Sequence, residues 1–170
     1  MLGDTAVAVN PNDTRLKEFI GQAVLLPFVK REIPIIADDA VDLEFGTGAL
    51  KVTPGHAAED YEIGVRHNLE APNVIDINGK MNENAGHFFG LTVKDCRIEI
   101  LKELETKGLL VQSKRYLHSV GHCDRCDSVI EPMITKQWYV SMQQLAEPAL
   151  QAVKSGDINI IPDRFTSVYF

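Results

Sequence analysis

No stretch of this 170-residue sequence is apolar for long enough to cross a bilayer as a helix. The N-terminus has no basic segment followed by an apolar block, so no secretory leader is visible and the cytoplasm is the expected compartment. Three cysteines are too few for a disulfide framework. Positive charge is also scarce: 17 Lys and Arg stand against 24 Asp and Glu, a formal net charge of −7. That argues against a broad nucleic-acid surface, whose affinity comes largely from phosphate contacts. A small pocket for one nucleotide end stays open, because net charge does not fix local charge. With 45% hydrophobic and 24% charged residues, the chain has the composition of a folded protein with one sizeable core.

Several catalytic signatures are missing as well. There is no Gly-x-Ser-x-Gly elbow and no His-Glu-x-x-His zinc motif, and Cys96 has no histidine partner in its sequence context. Covalent catalysis is therefore not suggested; a hydrolase built from this chain would use positioned water and electrostatic help. Gly46-Thr47-Gly48 lacks the third glycine of a dinucleotide fingerprint, and no Gly-Lys-Ser/Thr follows. Those glycines instead let the backbone turn sharply or approach a bound group.

What is present reads as short strands on sharp turns. Thr5–Val9, Ala23–Val29, Ile33–Ala37, Leu50–Thr53 and Val74–Ile77 are strand candidates. The second and third form a hairpin around a charged Lys-Arg-Glu corner, with Pro27 and Pro34 marking edges or bulges. Long β-α-β alternation is absent, so a mixed α/β fold with a β-barrel-like core or strongly curved sheet is expected. A helix is expected over Ala57–Asn68, with Ala57, Tyr61, Val65 and Leu69 as its apolar face and Glu59 and Asp60 in its first turn. A second spans Val93–Lys107, capped by Thr92 with Asp95 three residues on, buried through Val93, Cys96, Ile100 and Leu104, and stopped at Gly108. After an extended Leu109–Val120, composition shifts, and a boundary is placed near Leu117. A strand over Trp138–Val140 and a helix over Gln143–Val153 are expected beyond it. The sequence begins almost directly in a strand and stops at Thr-Ser-Val-Tyr-Phe, so an excised piece of a longer enzyme is expected, with a compact natural protein as the alternative.

Two groups of residues could carry chemistry. Lys51 and Thr53 lie two apart on a strand and face one side, and Asp60 starts the next helix just behind the Pro54–Gly55 turn. Strand, turn and helix can gather the three around one cavity, the carboxylate for an ammonium group, the lysine and hydroxyl for oxygens. His56 is the general-base candidate by type, with an exposed turn histidine as the alternative. Asp60 could equally be a carboxylate that only complements the helix dipole. Farther on, Cys123 and Cys126 form a Cys-x-x-Cys knuckle, with His118 and His122 nearby. Half of a zinc site completed elsewhere, a metal-free turn and a redox dithiol all remain open readings.

The segments MLGDTAVAVNPND, VLLPFVKREIPIIAD, EFGTGALKVTPGHAAEDYEIGVRHN, GKMNENAG and HSVGHCDRCDSVIEPMITKQWYVSM strongly resemble the bacterial valyl-tRNA synthetase family, over essentially the full chain. The isoleucyl and leucyl enzymes share the Gly-Thr-Gly and Asp60 pattern. The resemblance implies residues 1–117 as an inserted editing domain and residues 118–170 as the segment returning to the catalytic core. It implies a barrel-like fold that hydrolyses threonine mischarged on valine-specific tRNA. An apolar pocket rejects a hydroxyl-bearing isostere weakly, and valyl enzymes facing threonine are the reference example of that limit, so a second, hydrolytic sieve is needed. Carried over, Asp60 holds the substrate ammonium, Lys51 and Thr53 lie near the threonyl group and ribose, and Phe45 and Leu50 pack against the terminal adenosine. The resemblance implies as partners the 3′ end of that tRNA carrying threonine and the remainder of the synthetase, and no membrane is expected.

Two departures accompany the resemblance. The family's threonine-rich loop precedes the position of Met1, so one pocket wall is expected to be missing. Ala57 stands where many valyl enzymes have an acidic residue that reads the substrate hydroxyl. Neither ATP signature of the ligase occurs, so no aminoacylation and no cofactor are expected here. Cys123 and Cys126 match a zinc knuckle of some synthetases, completed there by other sequence. The alternative to an editing hydrolase is a non-catalytic docking module for an aminoacyl-tRNA 3′ end, or half of a structural zinc site.

Overall fold

The computed structural model describes residues 1–168; Tyr169 and Phe170, which close the expected terminal run, lie outside the described residues. Two compact units follow one another, Met1–Ile134 and Thr135–Phe170. A sequence boundary near Leu117 remains a proposal about modules rather than about these units. No helix among the described residues is long and apolar enough to cross a membrane.

The first unit holds β1 (Ala6–Val9), β2 (Ala23–Leu25), β3 (Glu32–Ala37) and β4 (Ala49–Val52) in one sheet of order β2-β3-β1-β4. β1 runs parallel to β3 and antiparallel to β4, and β2 and β3 form the expected hairpin. Lys30 makes its corner with a left-handed φ of 49°, and Leu26 N–H donates to the Arg31 carbonyl at 2.8 Å. Pro34 sits inside β3 yet behaves as an edge residue. β3 pairs with β2 through Glu32–Pro34 and with β1 only from Ile35 onward, so the missing N–H falls where the strand changes partners.

The sheet is open, with β2 and β4 as its edges. The mixed α/β class is as expected, but the strands do not close into a barrel among the described residues. Closure needs more strands with a staggered register than four short ones supply. Val74–Ile77 contributes only an isolated bridge, Ile75 to Met81, around the Asn78–Gly79 turn.

Helix α1 (Ala58–Arg66) does not bury the face that four-residue spacing suggests. Tyr61 and Val65 are exposed, whereas Asp60, Ile63 and Gly64 are buried. Gly64 decides the docking: a Cβ there would meet the Pro54 ring at 2.8 Å, so only a bare backbone lets the helix approach the turn that precedes it. Ile63 then packs with Val52, Ala6, Ala8 and Val41. Full burial of side chains such as Val52 and Ile63 contributes about 1.5–3 kcal/mol each.

Helix α2 (Val93–Thr106) matches its sequence pattern. Thr92 Oγ1 accepts the Asp95 N–H at 3.1 Å and donates to the Asp95 carboxylate at 2.8 Å. Cys96 and Leu104 are buried, Gly108 takes a φ of 66°, and Cys96 joins Leu2, Val74, Met81 and Phe88 in a second core cluster. In the second unit, α3 (Gln143–Ser155) forms as expected and ends on Gly156 at a φ of 86°. Trp138–Val140 is not a strand: it has no ladder partner among the described residues, and all three side chains are exposed. Strand propensity there reflects apolar composition, which does not make a strand without a sheet to join.

Candidate active site

β4 ends with Val52 pointing into the core and Lys51 pointing out, the alternation that a strand imposes. Thr53 to His56 then turn the chain, with His56 N–H donating to the Thr53 carbonyl at 3.1 Å, and α1 begins at once. The turn brings the first helical turn back beneath the strand end. Asp60 Oδ2 accepts the backbone N–H of Thr53 at 2.8 Å and the Lys51 ammonium at 3.1 Å. The Asp60 side chain is 8% exposed and that of Lys51 57%, so the lysine is the solvent-facing partner. Both bonds end on Oδ2; among the described residues Oδ1 accepts none.

The far end of α1 is fixed as well. Arg66 and His67 bind the buried Asp38, which follows β3, at 3.0 and 2.9 Å. Burial raises the Asp38 pKa, but the Arg66 guanidinium, the Ala40 amide and His67 outweigh it and hold the carboxyl below its ordinary range. Asp60 thus sits on a helix tied at both ends to the sheet.

A cavity of about 370 Å³ opens beside this pair. Lys51, Thr53, His56, Arg97 and Glu131 line its polar side; Ala57, Val74, Met81, Val93 and Ile100 are among its apolar walls. Asp60 does not line it but stands behind, bonded to Lys51 and Thr53. The Thr53 hydroxyl donates to Asp4, a buried carboxylate that no sequence motif singles out. No local pattern marks this link, because Thr53 lies forty-nine positions from Asp4.

Phe45 and Leu50 line a second cavity, of about 450 Å³, with Val41, Asp42 and the Gly46–Gly48 loop. Four of the five predicted residues therefore divide between two cavities, Phe45 and Leu50 at one and Lys51 and Thr53 at the other, with Asp60 behind the second and Leu50 and Lys51 adjacent on β4. Gly46 and Gly48 have φ of 64° and 82°, and a Cβ on Gly48 would meet Asp13 Oδ2 at 2.7 Å. Asp13 accepts from the Arg15 guanidinium at 2.7 and 2.9 Å and from its amide at 2.9 Å. These bonds, the side-chain one foremost, hold the Asp13 carboxyl down at about 2, against 3.8 ordinarily. A depressed carboxyl stabilises the fold above its unfolded pKa and stops doing so as pH falls through its folded one. Thermal melts should therefore show the Asp13 contribution complete near neutrality and fading from 3.8 toward about 2. Asp13→Asn should flatten that part of the acid limb.

His56 is neither a free base nor an exposed turn residue. Nδ1 lies 2.9 Å from the Pro132 carbonyl and Nε2 accepts the Val74 N–H at 3.0 Å. Nδ1–H is thus the donor, both ring nitrogens are occupied by backbone, and the ring bridges three segments. Ala57 is the N-cap of α1, in extended conformation, with no side-chain cap. Ala57→Asp should add a cap worth about 1 kcal/mol, read as a higher urea midpoint.

Cys123 and Cys126 lie in a tight turn, Cys123 N–H donating to Ser128 O at 2.9 Å and Asp127 N–H to Cys123 O at 2.8 Å. Hydrogen bonding to Ser128, with a smaller effect from Cys123, lowers the Cys126 thiol below its ordinary range. His122 faces the Asp127 carbonyl at 2.9 Å. No group of three or more metal-ligating side chains forms among the described residues. The knuckle alone supplies two of the four ligands that a structural zinc requires, so these residues do not by themselves fit the ion.

Residues 8–119 match the family described as "Leucyl-tRNA synthetase, editing domain". A valine--tRNA ligase of Dehalococcoides mccartyi is 56% identical over 169 residues, 99% of this chain. One of Clostridium tetani is 54% identical over 170 residues, 100% of the chain, and one of Thermotoga maritima 53% over 169 residues, 99% of it. The chain spans 19% of the length of the first two relatives and 20% of the third. On the family match and these alignments, the chain belongs to the editing-domain family of the leucyl- and valyl-type aminoacyl-tRNA synthetases.

Proposed function

We propose that this chain hydrolyses the ester of threonine mischarged on valine-specific tRNA, as the proofreading part of a cytoplasmic valine--tRNA ligase. The observation that carries this reading is Asp60: a nearly buried carboxylate, held by the Thr53 amide, whose other partner is the exposed Lys51 ammonium. The α-ammonium of an aminoacyl ester exchanges for Lys51 on Asp60. Lys51 is thereby released within reach of the ester carbonyl, where its charge stabilises the oxyanion that forms when water attacks. The carbonyl carbon gains the water oxygen and loses the ribose oxygen, which leaves with a proton as the ribose hydroxyl. Thr53 positions the group from the strand side. Phe45 and Leu50, in the adjoining cavity, receive the terminal adenosine. His56 takes no proton in this scheme, since both its nitrogens are engaged.

The test is deacylation of threonyl-tRNA by the chain. Asp60→Ala should abolish measurable turnover. Turnover unchanged by that substitution would end the proposal.

A further inference from the structure

The Phe45 ring is 64% exposed at the rim of its cavity, and it is not isolated. Its neighbour is Tyr116, seventy-one positions along the chain, with ring centroids 6.2 Å apart and planes at 76°. Tyr116, 69% exposed, in turn stacks on His118 at 6.0 Å and 19°. Tyr116 and His118 are two apart in a segment outside any helix or strand, and the stacking itself puts their rings together. Lys114 and Arg115 come immediately before and are exposed. In a chain of net charge −7, two cations next to a run of exposed rings are a local exception. Rings that offer faces for bases, with cations for phosphates, are the composition of a single-strand binding track.

We propose that Tyr116 and His118, continuing from Phe45, form a stacking strip for the nucleotides that precede the terminal adenosine of a single-stranded RNA end. This rests on the reading of the Phe45–Leu50 cavity as the adenosine pocket. Bases stack on the outer faces of the strip, and Lys114 and Arg115 meet the phosphates. Tyr116 is a positioning residue: it orients the strand that delivers the ester to Lys51 and Asp60, and it touches no reacting atom.

Two probes separate the strip from the pocket: adenosine 5′-monophosphate and the ribonucleotide trimer CCA. Calorimetric titration of the chain should give tighter binding of the trimer than of the monophosphate. Tyr116→Ala should weaken the trimer roughly ten- to a hundredfold, the range for one missing base stack, and leave the monophosphate unchanged. Tyr116→Phe should restore trimer binding. Lys114→Ala with Arg115→Ala should reduce the log–log salt slope by about 0.7 for each phosphate no longer neutralised. Trimer binding unaffected by Tyr116→Ala, or no tighter than that of the monophosphate, would overturn the strip while leaving the pocket intact. Binding of neither probe would remove both.

Discussion

Asp60→Asn is expected to lower threonyl-tRNA hydrolysis by about a hundredfold while leaving the fold in place. On the proposed reading one carboxylate performs two tasks, and the substitution separates them. Its Oδ2 accepts the Thr53 N–H at 2.8 Å, and that task needs an oxygen but no charge. An asparagine carbonyl can perform it. Holding the Lys51 or substrate ammonium needs the charge, and a nearly buried carboxylate with a charged partner is where charge counts most. Losing one partner of such a pair costs about 2–5 kcal/mol, and each ~1.4 kcal/mol is a factor of ten in rate. Asp60→Ala is less informative, because it also strands the Thr53 N–H, and an unsatisfied buried donor costs about 1–3 kcal/mol of stability. The two variants should therefore differ in urea midpoint, with asparagine close to the parent protein and alanine below it. Asparagine turning over at the parent rate would show that the charge is irrelevant and remove Asp60 from the chemistry.

Some of this molecule is legible from its sequence because the interactions are local. Thr92 and Asp95 cap α2 from three positions apart, Cys96 and Leu104 fall on one helical stripe, and Gly108 ends it. The β2–β3 hairpin closes around six residues. The approach of Lys51, Thr53 and Asp60 also follows from a short strand, turn and helix. What the sequence hides depends on distant partners. Nothing near α1 says that Gly64 faces the Pro54 ring, so apolar spacing picks out Tyr61 and Val65, which water covers. His56 looks like a free base until Val74 and Pro132 are seen to occupy it. The parallel pairing of β1 with β3, Asp4 beneath Thr53, and Tyr116 beside Phe45 all join residues more than twenty-five positions apart. The resemblance to synthetases singles out five candidate residues, but only the geometry puts Phe45 and Leu50 at one cavity, Lys51 and Thr53 at another, and Asp60 behind the second.

Gly55→Ala should cost about 2–3 kcal/mol of stability and most of the hydrolytic activity, the second of the large effects. The glycine is not required by its dihedral angles, since its φ is not among the left-handed ones. It is required by space. A Cβ at Gly55 would lie 2.5 Å from the Pro72 carbonyl oxygen and 3.1 Å from its carbon. Both are backbone atoms, so no rotamer relieves the clash; the turn or the Ala71–Pro72 segment must move. Overpacking a tight site typically costs ~1–3 kcal/mol, and backbone neighbours place this case toward the upper end. A marginally stable domain has only about 5–15 kcal/mol to lose. The displacement is also badly placed for function. Gly55 lies between Thr53, which donates to Asp60, and His56, which holds Val74, so opening the turn lengthens both hydrogen bonds. Gly79→Ala supplies the comparison: its φ of 73° strains an L residue, yet a Cβ there meets nothing within 4 Å. It should lose about 1 kcal/mol and retain hydrolysis. If the two variants lose equal stability and equal activity, close packing against Pro72 is not what positions the Thr53–Asp60 pair.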